Sequence, residues 1–406
     1  LESYVNPQHE GSNFDNTIFS SYKSVGYTDT TPHPIHLIDK YSNNDNVAIY
    51  FKVVFNMEYY TDAALTIFST AKRVSSENYL AYNGVLQPDD VLNQSGADYG
   101  FNLNSTDLVL NTDGSTLGKF LSNAPITQEA RLTDYGTLSF FNFLNVSENS
   151  FQVGSNNATI NMVNFIDIKL YNSAGVQLGS VISVDTTTAN GSFNNNNQFS
   201  NTRVMFFGAF PANLDNWSTT WDTHKANVSY YTIQAFDDDD DAISQIYRIN
   251  IISDDCKGFE GIRLTWLNPH GTWDYYTFTK KSVRQLATNK TTYTQLGGTW
   301  NKSTFRIDGY KGGQKNFRVN TKEMIRINTD YLVDEDAIWF EDLINSPEVY
   351  ILNGYSSSDT YGKVNKYVEP VRVTTSSYTR KSKANDKLIQ YTFEIEKTKV
   401  KRTQKI

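Results

Sequence analysis

Between Gly261 and Ile395 the chain alternates, turns and alternates again so regularly that a sheet carrying one helix is the fold it dictates. Ile262-Arg263-Leu264-Thr265-Trp266-Leu267 is rich in β formers at strand spacing, and Asn268-Pro269-His270-Gly271 is a cluster of turn residues. Thr272-Trp273-Asp274-Tyr275-Tyr276-Thr277-Phe278 resumes the alternation, so the three segments predict a hairpin. A long loop then leads to a short strand at Met324 to Ile327. Asp334, Glu335 and Asp336 place carboxylates where a helix N-terminus favours negative charge. Trp339 with Leu343 and Phe340 with Ile344 form apolar i,i+4 pairs, and Ser346-Pro347 stops the helix. Strands are expected again at Glu348 to Leu352, Val368 to Thr374 and Leu388 to Glu396. In the last, Leu388, Ile389, Tyr391, Phe393 and Ile395 supply a mostly alternating apolar face to pack against the helix.

Upstream, Val47 to Phe55 and Ala64 to Ile67 read as buried strands, and Gln87-Pro88-Asp89-Asp90 as a short helix start or the end of a section. Strands are also expected at Leu138 to Leu144, Thr159 to Tyr171, Val176 to Val184 and Arg203 to Phe207. Asn172-Ser173-Ala174-Gly175 predicts a hairpin turn, and the Asn-rich stretch Thr186 to Asn201 an exposed loop. The strand spacing points to an antiparallel β-sandwich, immunoglobulin-like or jelly-roll. The fold class is therefore mainly β: antiparallel sandwich domains, with one short helix packed on the C-terminal sheet.

With 406 residues there is room for two or three domains, and 14% aromatics against 20% charged residues argue for ordered cores rather than disorder. The one cysteine, Cys256, cannot form an internal disulfide. No run of about 18 apolar residues spans a bilayer, so no membrane partner is expected, and no basic region followed by an apolar one marks a signal peptide.

Charge is uneven. Ten Lys or Arg against three acids between Val371 and Ile406 give +7, which leaves −15 for the residues before them. Three readings stay open for this basic end: contact with an acidic neighbouring subunit, a solvated tail with charges guarding an edge strand, or contact with nucleic acid. Nucleic acid is disfavoured because no aromatics interleave the terminal run to stack on bases.

Asp237 to Asp241 lies between the alternating segments Val228 to Phe236 and Ala242 to Ile249, hence at a hairpin tip. Five carboxylates there suit a solvated turn; a Ca²⁺ site is the sharper reading, without the spacing or Gly of an EF-hand loop, and contact with a basic neighbour is the third. His33-Pro34-Ile35-His36 holds two imidazoles in an extended segment without the Glu of the helical zinc motif. Gly114-Ser115-Thr116-Leu117-Gly118 is not a nucleophile elbow, because its Ser is not midway between the glycines. Gly312-Gly313-Gln314-Lys315 lacks the hydroxyl and leading Gly of a phosphate loop and reads as a flexible connection. The carboxylates of the short helix are explained by its N-terminus rather than by acid–base work. Trp217, Trp221 and Trp273 are candidates for a sugar platform, with core or interface packing the plainer reading. Triplets such as Asn145-Val146-Ser147 follow from composition. No catalytic, cofactor-binding or metal-ligating set is assigned, and no enzyme activity or cofactor is expected.

The runs IRLTWLNPHGTWDYYTF, INTDYLVDEDAIWFEDLINSPEVYIL and VEPVRVTTSSYTRKSKANDKLIQYTFEIE resemble the C-terminal half of tail structural proteins of tailed bacteriophages, especially uncharacterised ones from phages of marine and gut bacteria. To a lesser extent TPHPIHLI and YFKVVFNMEYY share the likeness. The order helix, strand, Pro-Val strand and long strand ending on acids is also similar to the tube-forming domain of tail-tube and distal-tail proteins. The resemblance implies a non-enzymatic subunit of the virion tail, tail tip or baseplate. Its partners would be copies of itself in a symmetric ring and other tail proteins. The expected organisation is an extended arm (1–45), an N-terminal β region (46–132), an inserted β-sandwich (133–252), a tube-like β domain with one helix (253–396) and a basic tail (397–406). Two other functions fit the same composition: a carbohydrate-binding host-recognition protein that contacts host-surface glycan, and a tail-associated glycan hydrolase. Two or three coplanar exposed aromatics would mark the binder, and two carboxylates facing each other in a cleft the hydrolase.

Overall fold

The computed structural model describes residues 41–44, 48–51, 54–60, 68–75, 79–82, 84–85, 110, 117–142, 163–185, 203–237, 239–252, 259–301, 303–332, 334–354, 367–375, 377 and 389–399. The fold is mainly β with antiparallel sheets and a short helix near the C-terminal sheet. Two compact units divide the chain. The first comprises Leu1–Asp254, Thr265–Tyr275 and Gly354–Tyr367, and the second Asp255–Leu264, Tyr276–Asn353 and Val368–Ile406.

The first unit begins with β1 (Tyr41–Asn44), β2 (Ala48–Phe51), β3 (Val54–Tyr60), β4 (Phe68–Ser75) and β5 (Tyr79–Tyr82). β2 pairs with β5 and β3 with β4 as antiparallel two-stranded sheets. The expected strand Val47 to Phe55 is thus two strands, and Ala64 to Ile67 lies outside the described residues. Next come β6 (Thr127–Ala130), β7 (Thr137–Asn142), β8 (Phe165–Tyr171), β9 (Gln177–Asp185) and β10 (Arg203–Gly208). Two short helices, α1 (Pro211–Trp217) and α2 (Thr219–His224), precede β11 (Tyr230–Phe236) and β12 (Tyr247–Ile251). β1, β10 and β7 form a three-stranded sheet, and β6-β12-β11-β8-β9 a five-stranded one in which only β6 runs parallel to its neighbour.

Alternation explains the five-stranded sheet. Ile166, Ile168 and Leu170 of β8 and Tyr231, Ile233 and Ala235 of β11 are all fully buried, while the residues between them are half-buried. The buried face meets Trp221 of α2, edge-on to Tyr231 at 5.5 Å, and Phe120, edge-on to Tyr247 at 4.9 Å. Phe120 also contacts Phe140 of β7, which ties the two sheets into one core. The β8–β9 turn is the one expected: Gly175 has φ +76°, and the Asn172 side chain accepts from the Ala174 and Val176 amides.

A seven-stranded sheet has the order β14-β13-β19-β20-β21-β18-β15, and apart from Thr265–Leu267 and Trp273–Tyr275 its strands belong to the second unit. Its members are β13 (Ile262–Leu267), β14 (Trp273–Phe278), β15 (Val283–Thr294), β18 (Gln314–Asn328), β19 (Val349–Leu352), β20 (Val368–Val373) and β21 (Thr392–Lys397). Between β15 and β18 the small hairpin β16 (Gly298–Asn301) and β17 (Thr304–Ile307) is inserted. Helix α3 (Asp334–Asn345) starts on the three acids and lays Trp339, Phe340 and Leu343 into the core. Phe340 stacks on Phe393 of β21 at 5.6 Å, and Tyr276 lies edge-on to both Phe340 and Trp339. Helix and sheet therefore share one aromatic cluster. Ile325, Ile327, Phe393 and Ile395 complete the buried face.

Three expectations are corrected here. The supposed loop from Thr279 to Glu323 contains strands, and the short strand at Met324 to Ile327 is the end of fifteen-residue β18. The last strand is Thr392–Lys397; Ile389 forms only an isolated bridge to Leu332, because Thr329 takes the Tyr391 amide on its hydroxyl and interrupts the ladder.

Candidate functional site

An exposed ribbon is formed by β15 and β18, paired over twelve positions from Val283↔Arg326 to Thr294↔Gln314. Near the sheet, β18 lies between β15 and β21, and β21 leaves it at the pair Met324↔Glu396. Gln314 to Glu323 then has β15 as its ladder partner, a span of about 30 Å at ~3.3 Å per residue. A register shift between Thr291 and Thr292 leaves Phe317 as the extra residue of a bulge, 53% exposed. Val283 and Leu286 are also about half exposed.

At its root the ribbon is tied down by ion pairs. Arg326 grips Glu394 through two nitrogens, at 2.6 and 3.0 Å, and Glu396 sits between Arg372 (2.8 Å) and Lys322 (3.4 Å). Arg372, with Lys322 behind it, holds the Glu396 carboxyl below the usual carboxylate range. Such pairs at an exposed face fix orientation more than they stabilise.

At the far end the chain folds on glycines. Gly312 and Gly313 have φ +89° and +74°, conformations open to Gly, and they turn the chain into β18 at Gln314. In the β16–β17 hairpin Trp300 faces Phe305, and Gly298 faces Ile307. One face thus carries Trp300, Phe305 and Ile307, exposed by 66%, 39% and 79%. Leu296 and Tyr310, on either side of the hairpin in sequence, are exposed by 63% and 76%. A Cβ on Gly298 would collide with the Arg306 carbonyl and the Phe305 ring, so Gly is required for that ring to lie flat. The opposite face is polar: Asp308 accepts from Lys311 and from Thr299, which lowers its pKa and raises that of Lys311. Apolar and polar faces of a two-stranded element are thereby separated, with on the order of 500 Å² of apolar side chain open to solvent.

The first unit holds a cleft of about 370 Å³. Leu132, Val228, Ile251 and Ile252 give it apolar walls, and Ser173, Asn227, Ser229, Ala226 and Lys225 complete the lining. Lys225 is bound to Asp215 and to Asp222, at 3.0 Å from the latter, and these bonds, that to Asp215 first, raise its pKa. The cluster carries one negative charge in excess.

Outside the core, the five-stranded sheet presents Phe165 stacked on Phe236 at 5.0 Å and Tyr171 on Tyr230 at 4.9 Å, with Arg248 over the Tyr230 ring. The rings of each pair are turned onto one another, so they do not lie side by side as a sugar platform requires. Trp221 and Trp273 are in the core, 1% and 2% exposed, and Trp217 packs near Phe207 at 6.3 Å. The acidic turn closes on itself: Asp237 is 5% exposed and its Oδ1 accepts from the Asp239 and Asp241 amides, while Asp240 takes φ +65°. Asp237 Oδ1 thus braces the backbone of the turn, and among the described residues no group of three or more His, Cys, Asp or Glu is placed to hold a metal. His33, His36, Gly114 to Thr116, Gln87 to Asp90, Asn145 to Ser147, Thr186 to Asn201, Asp238, Cys256 and Lys401 to Ile406 lie outside the described residues. Lys397, at the start of the expected basic tail, closes β21 and pairs with Glu369 at 3.0 Å. Among the described residues no helix is long and apolar enough to cross a membrane.

Comparison with family models, curated proteins and solved structures returns no match to this chain.

Proposed function

We propose that the chain is a structural subunit of a tailed-bacteriophage virion, a component of the tail, tail tip or baseplate that assembles with copies of itself. The observation that carries this reading is the β15–β18 ribbon, whose far end offers Leu296, Trp300, Ile307 and Tyr310 to solvent. Apolar surface of that extent on a narrow projection has a cost for a lone chain in water, and it is removed when a neighbour covers it. Among the described residues the outer edges of the ribbon have no strand partner, so they offer backbone donors and acceptors that a neighbouring strand can take up. The resemblance of the C-terminal runs to phage tail proteins supplies the virion context. Function on this reading is mechanical, with sheets and arms holding subunits together.

The test is twofold. Purified chain should form discrete oligomers by mass photometry as concentration rises, and an antibody to the β11–β12 hairpin should label the tail of particles by immunogold microscopy. A 46.1 kDa species at every concentration, with no label on any particle, would remove the reading.

A further inference from the structure

The two units carry opposite charge. The first has 29 Asp and Glu against 13 Lys and Arg, a net −16, and the second 15 against 23, a net +8. Positive charge is dense on the ribbon: from Lys290 to Arg318 there are six Lys or Arg and one acid, Asp308, which Lys311 already holds. The Arg306 side chain is 82% exposed and lies with Thr299 on the face opposite Trp300, Phe305 and Ile307, 3.9 Å from Asp308. A knob of this kind, with an aromatic face on a net-positive ribbon, is matched by a hollow with apolar walls on a net-negative unit. The first unit provides one in the cleft where Leu132, Val228, Ile251 and Ile252 share the lining with Ser173, Asn227 and Ser229, with Asp215 and Asp222 outnumbering Lys225 at its side. Its volume of about 370 Å³ is that of a site for one large side chain with a smaller neighbour.

Resting on the subunit reading above, we propose that copies of this chain associate head to tail, the β16–β17 tip of one inserting Trp300 and Ile307 into the Leu132–Ile252 cleft of the next. Knob and hollow are different surfaces of the same chain, so every contact uses one of each, and copies joined this way close as a reciprocal pair or a larger ring or propagate into a filament. A tip face of this size falls short of the ~800 Å² per partner of a stable isologous dimer, which argues against two tips packing on each other. The aromatic anchor supplies the hot spot, and the unlike charges supply orientation and speed of encounter.

The experiment uses two full-length variants altered at exposed positions, Trp300→Asp with Ile307→Asp in the tip, and Leu132→Arg with Ala226→Arg at the cleft. Circular dichroism and melting should match the parent, and Trp300→Phe should retain assembly. In sedimentation velocity the parent assembles, whereas each variant alone needs at least tenfold higher concentration. Their equimolar mixture yields two-chain species and nothing larger, because it offers one intact tip and one intact cleft per pair. Raising salt from 50 to 500 mM weakens the parent's assembly. If the parent assembles and the variants do so equally well, or the mixture remains monomeric, head-to-tail docking is wrong and the subunit reading stands. A parent that never assembles overturns both.

Discussion

Phe340 is the residue on which the aromatic core of the second unit is centred, and replacing it measures whether that core holds α3 to the sheet. Its side chain is fully buried and its ring meets Tyr276 at 4.9 Å, Trp339 at 5.2 Å, Phe393 at 5.6 Å and Phe278 at 6.2 Å. Burial of roughly 200 Å² of aromatic side chain at about 25 cal/mol per Å² contributes about 5 kcal/mol. Alanine keeps a fraction of this through its methyl group, while the cavity and lost ring contacts act in the other direction. The expected loss for Phe340→Ala is therefore about 4 kcal/mol. Phe317→Ala, at the half-exposed ribbon bulge, should lose under about 1 kcal/mol. A chain of two units does not unfold in one transition, so hydrogen exchange resolved by peptide is the suitable assay. Amides of Ile325 to Ile327 and Phe393 to Ile395 should exchange on the order of 1,000-fold faster in Phe340→Ala, with those of β8 and β11 unchanged. A change under tenfold, or an equal effect from Phe317→Ala, would refute the assignment of this cluster as the core.

Two further outcomes are expected. A Cβ at Gly136 would lie 2.8 Å from Phe210 and 2.9 Å from Tyr275, both buried rings, so Gly136→Ala should destabilise by about 1–3 kcal/mol, read from the melting of near-ultraviolet ellipticity. At the tip, Asp308 has a depressed folded pKa, so its contribution to tip order is present above the ordinary carboxylate range and is lost as pH falls through the depressed value. Lys311, raised by the same bond, contributes below the ordinary lysine pKa and loses its contribution as pH rises through the raised value. The ¹⁹F resonance of fluorotryptophan at Trp300 should broaden or shift at the acid limit in the parent and not in Asp308→Asn.

How far the sequence carried the fold depended on whether a segment had a buried face. Helix α3, with its acids at the start and Trp339, Phe340 and Leu343 at i, i+1 and i+4, was legible because capping charge and apolar spacing agree. So was the β8–β9 hairpin, where Asn172 and Gly175 are the residues the turn needs. The ribbon was not, since Thr288-Asn289-Lys290-Thr291-Thr292 is polar on both sides and a projecting two-stranded element has no buried face to impose alternation. The density of Thr and Val with the Gly312-Gly313 pair was the available signal. Helices α1 and α2 are seven and six residues long, too short for periodicity, although Pro211 at the first turn and the Ser218 cap on the Trp221 amide marked both starts. The tip was hidden for the same reason as the ribbon, and the cleft is built by Leu132, Val228 and Ile251, far apart in sequence.

Single-particle imaging of the assembled chain tests the central claim most directly, because the ribbon from Val283 to Asn328 is long enough to be traced at moderate resolution. The account predicts symmetric assemblies in which density for each ribbon ends on the first unit of the adjacent copy, with Trp300 covered. Assemblies whose ribbons project freely into solvent, or a chain that images as single copies at high concentration, would contradict it.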